Sequence, residues 1–171
     1  AAAKDLVAAG AHVIDVGGES TRPGAEEVPV QTEIERTEPV IVRLIEALDA
    51  PLSIDTRKAA VAERALRAGA VIVNDVSGLH HDPELAAVAA DRGATVIIGH
   101  MRGTPATMQH APHYDDVLDE VCRELEESLE LGRAAGLGDA QLVVDPGLGF
   151  GKRAEDNLAL IAGVGRIRER F

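Results

Sequence analysis

"LSIDTRKAAVAERALRAGAVIVND", residues 52 to 75, holds two short apolar runs around one helical stretch. "LSIDT" (52–56) and "AVIVND" (70–75) are β-branched and do not alternate polar with apolar residues. Strands of that kind are buried on both faces, as in a parallel sheet. Between them "KAAVAERALRAGA" reads as a helix that closes on Gly69, where a C-cap glycine belongs. Each strand finishes on polar residues: Asp55 in the first, Asn74 and Asp75 in the second.

The same unit repeats outward in both directions. "AHVIDV" (11–16), "ATVIIGH" (94–100) and "QLVVD" (141–145) are three further strands of this type. "PELAAVAADRGA" again closes on glycine, and "YDDVLDEVCRELEESLELGRAAG" sets Val117, Val121, Cys122, Leu125 and Leu129 on one helical face. "AEDNLALIAGVGRIRERF" continues as a helix weakened by Gly163 and Gly165. The predicted order is αβαβαβαβαβα over a single domain spanning residues 1–171, with crossover units of the size that parallel sheets use. Two architectures carry this order: a five-stranded doubly wound sheet, and part of an eight-stranded β/α barrel. The length alone, 171 residues, favours the first.

Composition narrows the function classes. The chain carries 17 Lys plus Arg against 29 Asp plus Glu, a net charge of −12. Such a surface repels phosphate backbones and anionic lipid, which argues against nucleic-acid and membrane partners. No apolar run approaches a membrane span. One cysteine, Cys122, leaves no intramolecular disulfide and no thiolate metal cluster, in keeping with a reducing cytoplasm. Cys122 is expected in the core on its helix face. "AAAKDLVAAGAHVIDV" is not a signal peptide, since an aspartate interrupts it and no basic segment precedes it. It lacks an initiating Met and reads like the middle of a helix, so the chain is expected to be a piece of a longer protein.

Chemistry is expected where the strands end. In parallel α/β folds the C-terminal strand ends line one face, and ligands bind there. Here they carry Asp15, Asp55, Asn74, Asp75, His100 and Asp145. Asp75, like Asp82 beyond it, has a plain alternative role as turn former or helix cap. Asp55, Asn74 and Asp145 offer mostly acceptors, which suits a flat heterocycle with adjacent N–H donors, such as a 2-amino-4-oxo-pyrimidine ring. The same residues suit Mg²⁺. A Schiff-base aldolase would want a strand-end Lys, and no strand supplies one. "VVDPGLGFGK" (143–152) runs from a strand into a glycine loop, but Pro146 and Arg153 break the Walker pattern. Lys152 there either makes a positive corner or lies in solvent, and Phe150 is expected against a ligand or loop. His80, His81, His110 and His113 are expected in loops, with no metal spacing.

Taken together, "IDVGGESTRPGA" (14–25), "LSIDTRKAAVAERAL" (52–66), "VNDVSG" (73–78), "GHMRGTPATMQ" (99–109), "YDDV" (114–117) and "DPGLGFGK" (145–152) resemble the dihydropteroate synthase family, the pterin-binding barrel enzymes of folate synthesis. "GGESTRPG" and "DPGLGFGK" are the most specific, and the segments cover nearly the whole chain in the family's order. The resemblance implies a TIM-type β/α barrel of which this chain supplies strands two to six, without the first, seventh and eighth. It implies condensation of 6-hydroxymethyl-7,8-dihydropterin diphosphate with p-aminobenzoate, releasing pyrophosphate. It assigns the pterin ring to Asp55, Asn74 and Asp145, the diphosphate to Thr21 and Arg22, and part of the p-aminobenzoate slot to Pro23 and Phe150. Asp15 and Glu19 are placed at the mouth. Asp55, Asp145 and Arg22 are the residues expected to act in catalysis. Sulfonamides are expected at the same slot. Mg²⁺ is the implied cofactor, its family ligand lying in the missing first strand's loop rather than in this chain, and a homodimer is the implied assembly.

Two readings compete with a synthase. One is a pterin-binding module of the corrinoid methyltransferase type, against which the "GGESTRPG" loop argues. The other is that these residues alone are inactive. One departure is expected to matter: Ile98-Gly99-His100 stands where many relatives carry Met or Leu-Met before the His, and the missing side chain is expected to loosen the wall against the pterin.

Overall fold

The computed structural model describes residues 2–171. Helix α1 (Ala2–Ala8) leads into β1 (Ile14–Gly17), α2 (Val30–Ala47), β2 (Leu52–Asp55), α3 (Ala59–Arg67) and β3 (Ile72–Asp75). There follow α4 (Leu85–Asp91), β4 (Thr95–Gly99), α5 (Val117–Ala134), a single 3-10 turn (Asp139–Gln141), β5 (Leu142–Asp145), α6 (Ala154–Ala162) and α7 (Val164–Arg170). The predicted alternation is therefore observed, except that the last helix breaks in two at Gly163. A Cβ at Gly163 would lie 2.7 Å from Leu118 Cδ1, so the glycine lets α6 and α7 pack closely on α5.

All five strands are parallel, and their spatial order is β1-β2-β3-β4-β5. That order decides between the two architectures. A doubly wound sheet reverses direction at a switch point, whereas a barrel adds each strand beside the last. No reversal occurs here, so the expectation drawn from length alone is corrected. The sheet runs as the strands of a TIM-type barrel do.

Side chains alternate between faces along each strand. One face sets Ile14, Leu52, Ile54, Val73, Val96 and Ile98 against the helices, all of them buried. Ile41 of α2, Val61 and Ala65 of α3, Leu85 and Ala89 of α4, and Val121 and Leu125 of α5 pack on it. Each aliphatic side chain buried this way stabilises the fold by about 1.5–3 kcal/mol. Cys122 is buried in the same core on α5, as expected. The other face is the inner one of a barrel. The interior strand β2 is buried on both faces, as expected, with Ser53 1% exposed, whereas Val143 on the edge strand β5 is 48% exposed.

Loops fix the strand ends. Asp75 accepts from the Ser77 and Leu79 N–H groups and the Ser77 hydroxyl, the turn-forming role open to it. Asp82 accepts from Ala59 N–H, capping α3 from the β3–α4 loop. Asp116 accepts from Leu118 and Asp119 N–H and caps α5.

Candidate active site

Four of the strand-end residues share the inner face. Register places Asp55 beside Asn74 and opposite Gly17, and Asp145 opposite Gly99. Asp15 lies two residues before Gly17 and so projects to the same side. Asn74 Nδ2 donates to Asp15 Oδ2 at 3.0 Å, tying β3 to β1 across the end of β2. Asp55 sits between them, its Cβ 3.4 Å from where a Cβ on Gly17 would stand. Gly17 thus leaves the room that the carboxylate occupies.

Asp55 is the unusual member. Its Oδ1 is buried and has no hydrogen-bond partner. A buried acceptor left unpaired costs on the order of 1–3 kcal/mol. Burial, then the charges of Asp15, Glu33 and Asp75, push its carboxyl up to about 7. A group held in this state relaxes when a ligand brings N–H donors. Ser53, two residues earlier on the same face, also has a buried, unpartnered hydroxyl. Asp145 is exposed, and its Oδ1 accepts from Gly147 N–H at 2.8 Å, which turns the glycine loop.

His100 does not join this group. It follows Gly99, so it projects to the helix side and is buried against α5, where Nε2 meets Glu124 Oε2 at 2.9 Å. The expectation of an imidazole at the mouth is corrected by the alternation of β4. Burial, then the Lys152 ammonium, push the ring down to about 4, so it is neutral at pH 7. Gly99 does not loosen the wall either. A Cβ there would lie 2.7 Å from Val76 Cα, so the backbone after β3 fills that space.

The loop from Gly18 to Pro29 rises beside β1. Thr21 is half-buried, and Arg22 and Pro23 are exposed. Glu19 holds the loop down. Its carboxylate accepts from Arg57 Nη2 at 2.5 Å, from Lys58 Nζ at 2.6 Å and from Val28 N–H at 2.7 Å. Burial raises this carboxyl, but the hydrogen bonds from Arg57, Lys58 and Val28 prevail and hold it at about 2. Lys58 reaches on to Glu33 Oε2 at 2.7 Å, and Thr56 donates to Glu33 Oε1 at 2.6 Å. This buried network was not visible in the sequence. The loop also meets the β4–α5 loop, through Gly24 N–H to the Pro105 carbonyl at 3.0 Å. β2 and β3, which carry Asp55 and Asn74, lie between the strands that bear those two loops. A cavity of about 140 Å³ lies between the two loops, lined among others by Ser20, Arg57, His81 and Pro105.

On the far side, Phe150 is half-buried in the glycine loop. Lys152 is neither solvated nor a positive corner for an anion. It is 4% exposed, and its ammonium donates to protein carbonyls.

The sequence matches the family described as pterin binding enzymes over residues 1–171. The chain belongs to the pterin-binding enzyme family. It is 48% identical to the dihydropteroate synthase of Synechocystis over 159 residues, 93% of this chain and 55% of that protein. The fold superposes on the dihydropteroate synthase of Yersinia pestis, solved with a sulfonamide drug, with a TM-score of 0.95 and 42% identity, covering 98% of this chain and 61% of that one. It superposes likewise on the Xanthomonas albilineans enzyme in complex with 7,8-dihydropteroate, with a TM-score of 0.85 and 39% identity over 98% of this chain and 58% of that one. The chain thus spans little more than half the length of these relatives. Among the described residues, no group of three or more His, Cys, Asp or Glu side chains is arranged to hold a metal ion. No helix among them is long and apolar enough to cross a membrane.

Proposed function

We propose that the protein to which these residues belong is a dihydropteroate synthase. It would join 6-hydroxymethyl-7,8-dihydropterin diphosphate to p-aminobenzoate and release pyrophosphate. The observation that carries this reading is the unpartnered, buried Oδ1 of Asp55 beside Asn74 on the inner face, with Asp145 at the end of β5. These acceptors match the N–H edge of a pterin ring, and family membership gives the ring its identity.

The chemistry follows from charge. The bond between the pterin methylene carbon and the diphosphate oxygen breaks, and its electron pair leaves with the diphosphate. The cation left behind is delocalised over the ring. Asp55 and Asp145 stabilise that charge better in a water-poor pocket than solvent does. Thr21 and Arg22 on the exposed loop meet the leaving diphosphate. The p-aminobenzoate nitrogen, held between Pro23 and Phe150, attacks the methylene carbon and gives up a proton to solvent. No protein nucleophile is required, which agrees with the burial of Cys122 in the core. Asp15 holds Asn74, and Glu19 holds the loop that carries Thr21 and Arg22. We place Mg²⁺, if bound, on residues outside this chain, and the enzyme in the cytoplasm as a homodimer.

The test is to incubate the complete protein with both substrates and follow 7,8-dihydropteroate and pyrophosphate. The expected result is their formation in equal amounts. Pterin binding without product would make it a pterin-binding module, and no pterin binding would end the reading.

A further inference from the structure

Lys152 is the most enclosed cation at the C-terminal side of the sheet, and the reaction above does not use it. Its Nζ lies 2.9 Å from the Gly147 carbonyl, 3.0 Å from the Phe150 carbonyl, 3.2 Å from the His100 carbonyl and 2.9 Å from His100 Nδ1. An ammonium only donates, so His100 Nδ1 must accept. The ring proton is then on Nε2, which donates to Glu124 at 2.9 Å. Glu124 in turn accepts from Arg102, whose guanidinium stacks 4.1 Å from the Tyr114 ring centroid. Tyr114 donates its hydroxyl to the Gly151 carbonyl at 3.1 Å. The chain of contacts begins and ends on the loop from Pro146 to Gly151.

That loop has little else to fix it. It carries Gly147, Gly149 and Gly151 at positive φ, a backbone that samples many shapes when unconstrained. Asp145 ties its start through Gly147 N–H, but the side-chain ties nearest Phe150, Gln109 Nε2 to the Gly149 carbonyl and Gly149 N–H to Asn157, are exposed. The aromatic ring of Phe150 can form a wall only if the loop has one shape.

We propose that Lys152 is the positioning residue of the glycine loop: its ammonium binds the carbonyls of Gly147 and Phe150 from within, and so fixes Phe150 as the wall of the p-aminobenzoate slot. This rests on the synthase reading for the identity of that slot. Lys152 itself touches no substrate. Its loss loosens the Phe150 side of the site most, while Asp55 and Asn74 stay on β2 and β3 and Asp145 keeps its hydrogen bond from Gly147 N–H.

The experiment compares Lys152→Met, Phe150→Ala and the double variant in the complete enzyme. Lys152→Met is expected to raise KM for p-aminobenzoate by about tenfold or more, as misplacement of a substrate wall does, with a clearly smaller change in Kd for the pterin by calorimetry. Because Lys152 acts through Phe150, the double variant should have the KM of Phe150→Ala alone, a fully non-additive pair. Additive effects, an unchanged KM, or a pterin Kd that moves as much as KM would overturn the assignment. If Lys152→Met does not fold, Lys152→Gln, which still donates two N–H groups, takes its place with the same readouts. A wild-type enzyme that makes no dihydropteroate refutes the synthase reading instead, so the two failures are distinct.

Discussion

Asp55 and Asn74 stand side by side in register on neighbouring parallel strands, yet only Asn74 is paired: it donates to Asp15, while Asp55 keeps a buried oxygen with no partner. Folding alone has no use for such an oxygen, and a buried, unpaired acceptor of this kind is a cost that a bound N–H donor removes.

Asp55→Asn should therefore separate stability from binding. Replacing the carboxyl by an amide removes a buried, repelled charge, so Tm at pH 7.5 is expected to stay equal or rise. Pterin affinity is expected to fall by roughly 10- to 100-fold, the loss of hydrogen bonds to a charged acceptor. Calorimetry and thermal unfolding on the same sample check both. A lowered Tm with unchanged affinity would make Asp55 a structural residue.

The pH dependence has a definite sign. The ordinary value for Asp55 is 3.8, and the folded chain raises it to about 7, so the folded state holds a proton that the unfolded state has lost. Its contribution to stability is present at low pH and is lost as pH rises through about 7. Pterin N–H groups need the carboxylate, so affinity should tighten as pH rises to about 7 and binding should release a proton below it. Titrations at pH 6 in two buffers of different ionisation heat measure that proton directly. Proton uptake would contradict the assignment.

Glu19→Gln should unlatch the loop that carries Thr21 and Arg22. Arg57 and Lys58 are both buried and would lose their shared carboxylate. Breaking a buried pair from one side costs about 3–5 kcal/mol, readable by urea unfolding. With the Glu19 carboxyl held at about 2 against an ordinary 4.5, the wild type keeps this stabilisation above pH 4.5 and loses it as pH falls toward 2. A variant as stable as wild type would show that the latch is weak.

Gly147→Ala should disable the site by shape alone. Gly147 has φ +64°, and a Cβ there would run into the His100 carbonyl oxygen. The loop must move, carrying the Asp145 turn and Phe150 with it. Loss of both pterin and p-aminobenzoate binding is expected. Normal binding of either would show that the loop tolerates another shape.

The inner-face residues were legible because strand ends are legible. A β-branched run that closes on Asp or Asn states both where the strand stops and which end faces the ligand. Strand order was not legible from length, since a barrel sector and a doubly wound sheet share one alternation of elements; the family-like segments pointed to the barrel. His100 was misplaced because a strand boundary uncertain by one residue exchanges the two faces. Lys152, Glu33 and Lys58 were missed for another reason. A charged side chain next to glycines or a helix start reads as solvated, and only the folded backbone shows three carbonyls, or two carboxylates, converging on it.

The most direct measurement is pterin binding by calorimetry to the complete protein carrying Asp145→Ala, set against wild type with far-UV spectra of both. The account predicts that binding disappears while the spectra and Tm match. Wild-type affinity in the variant would mean that the end of β5 does not face the same ligand as Asp55 and Asn74, and the single shared site would be refuted.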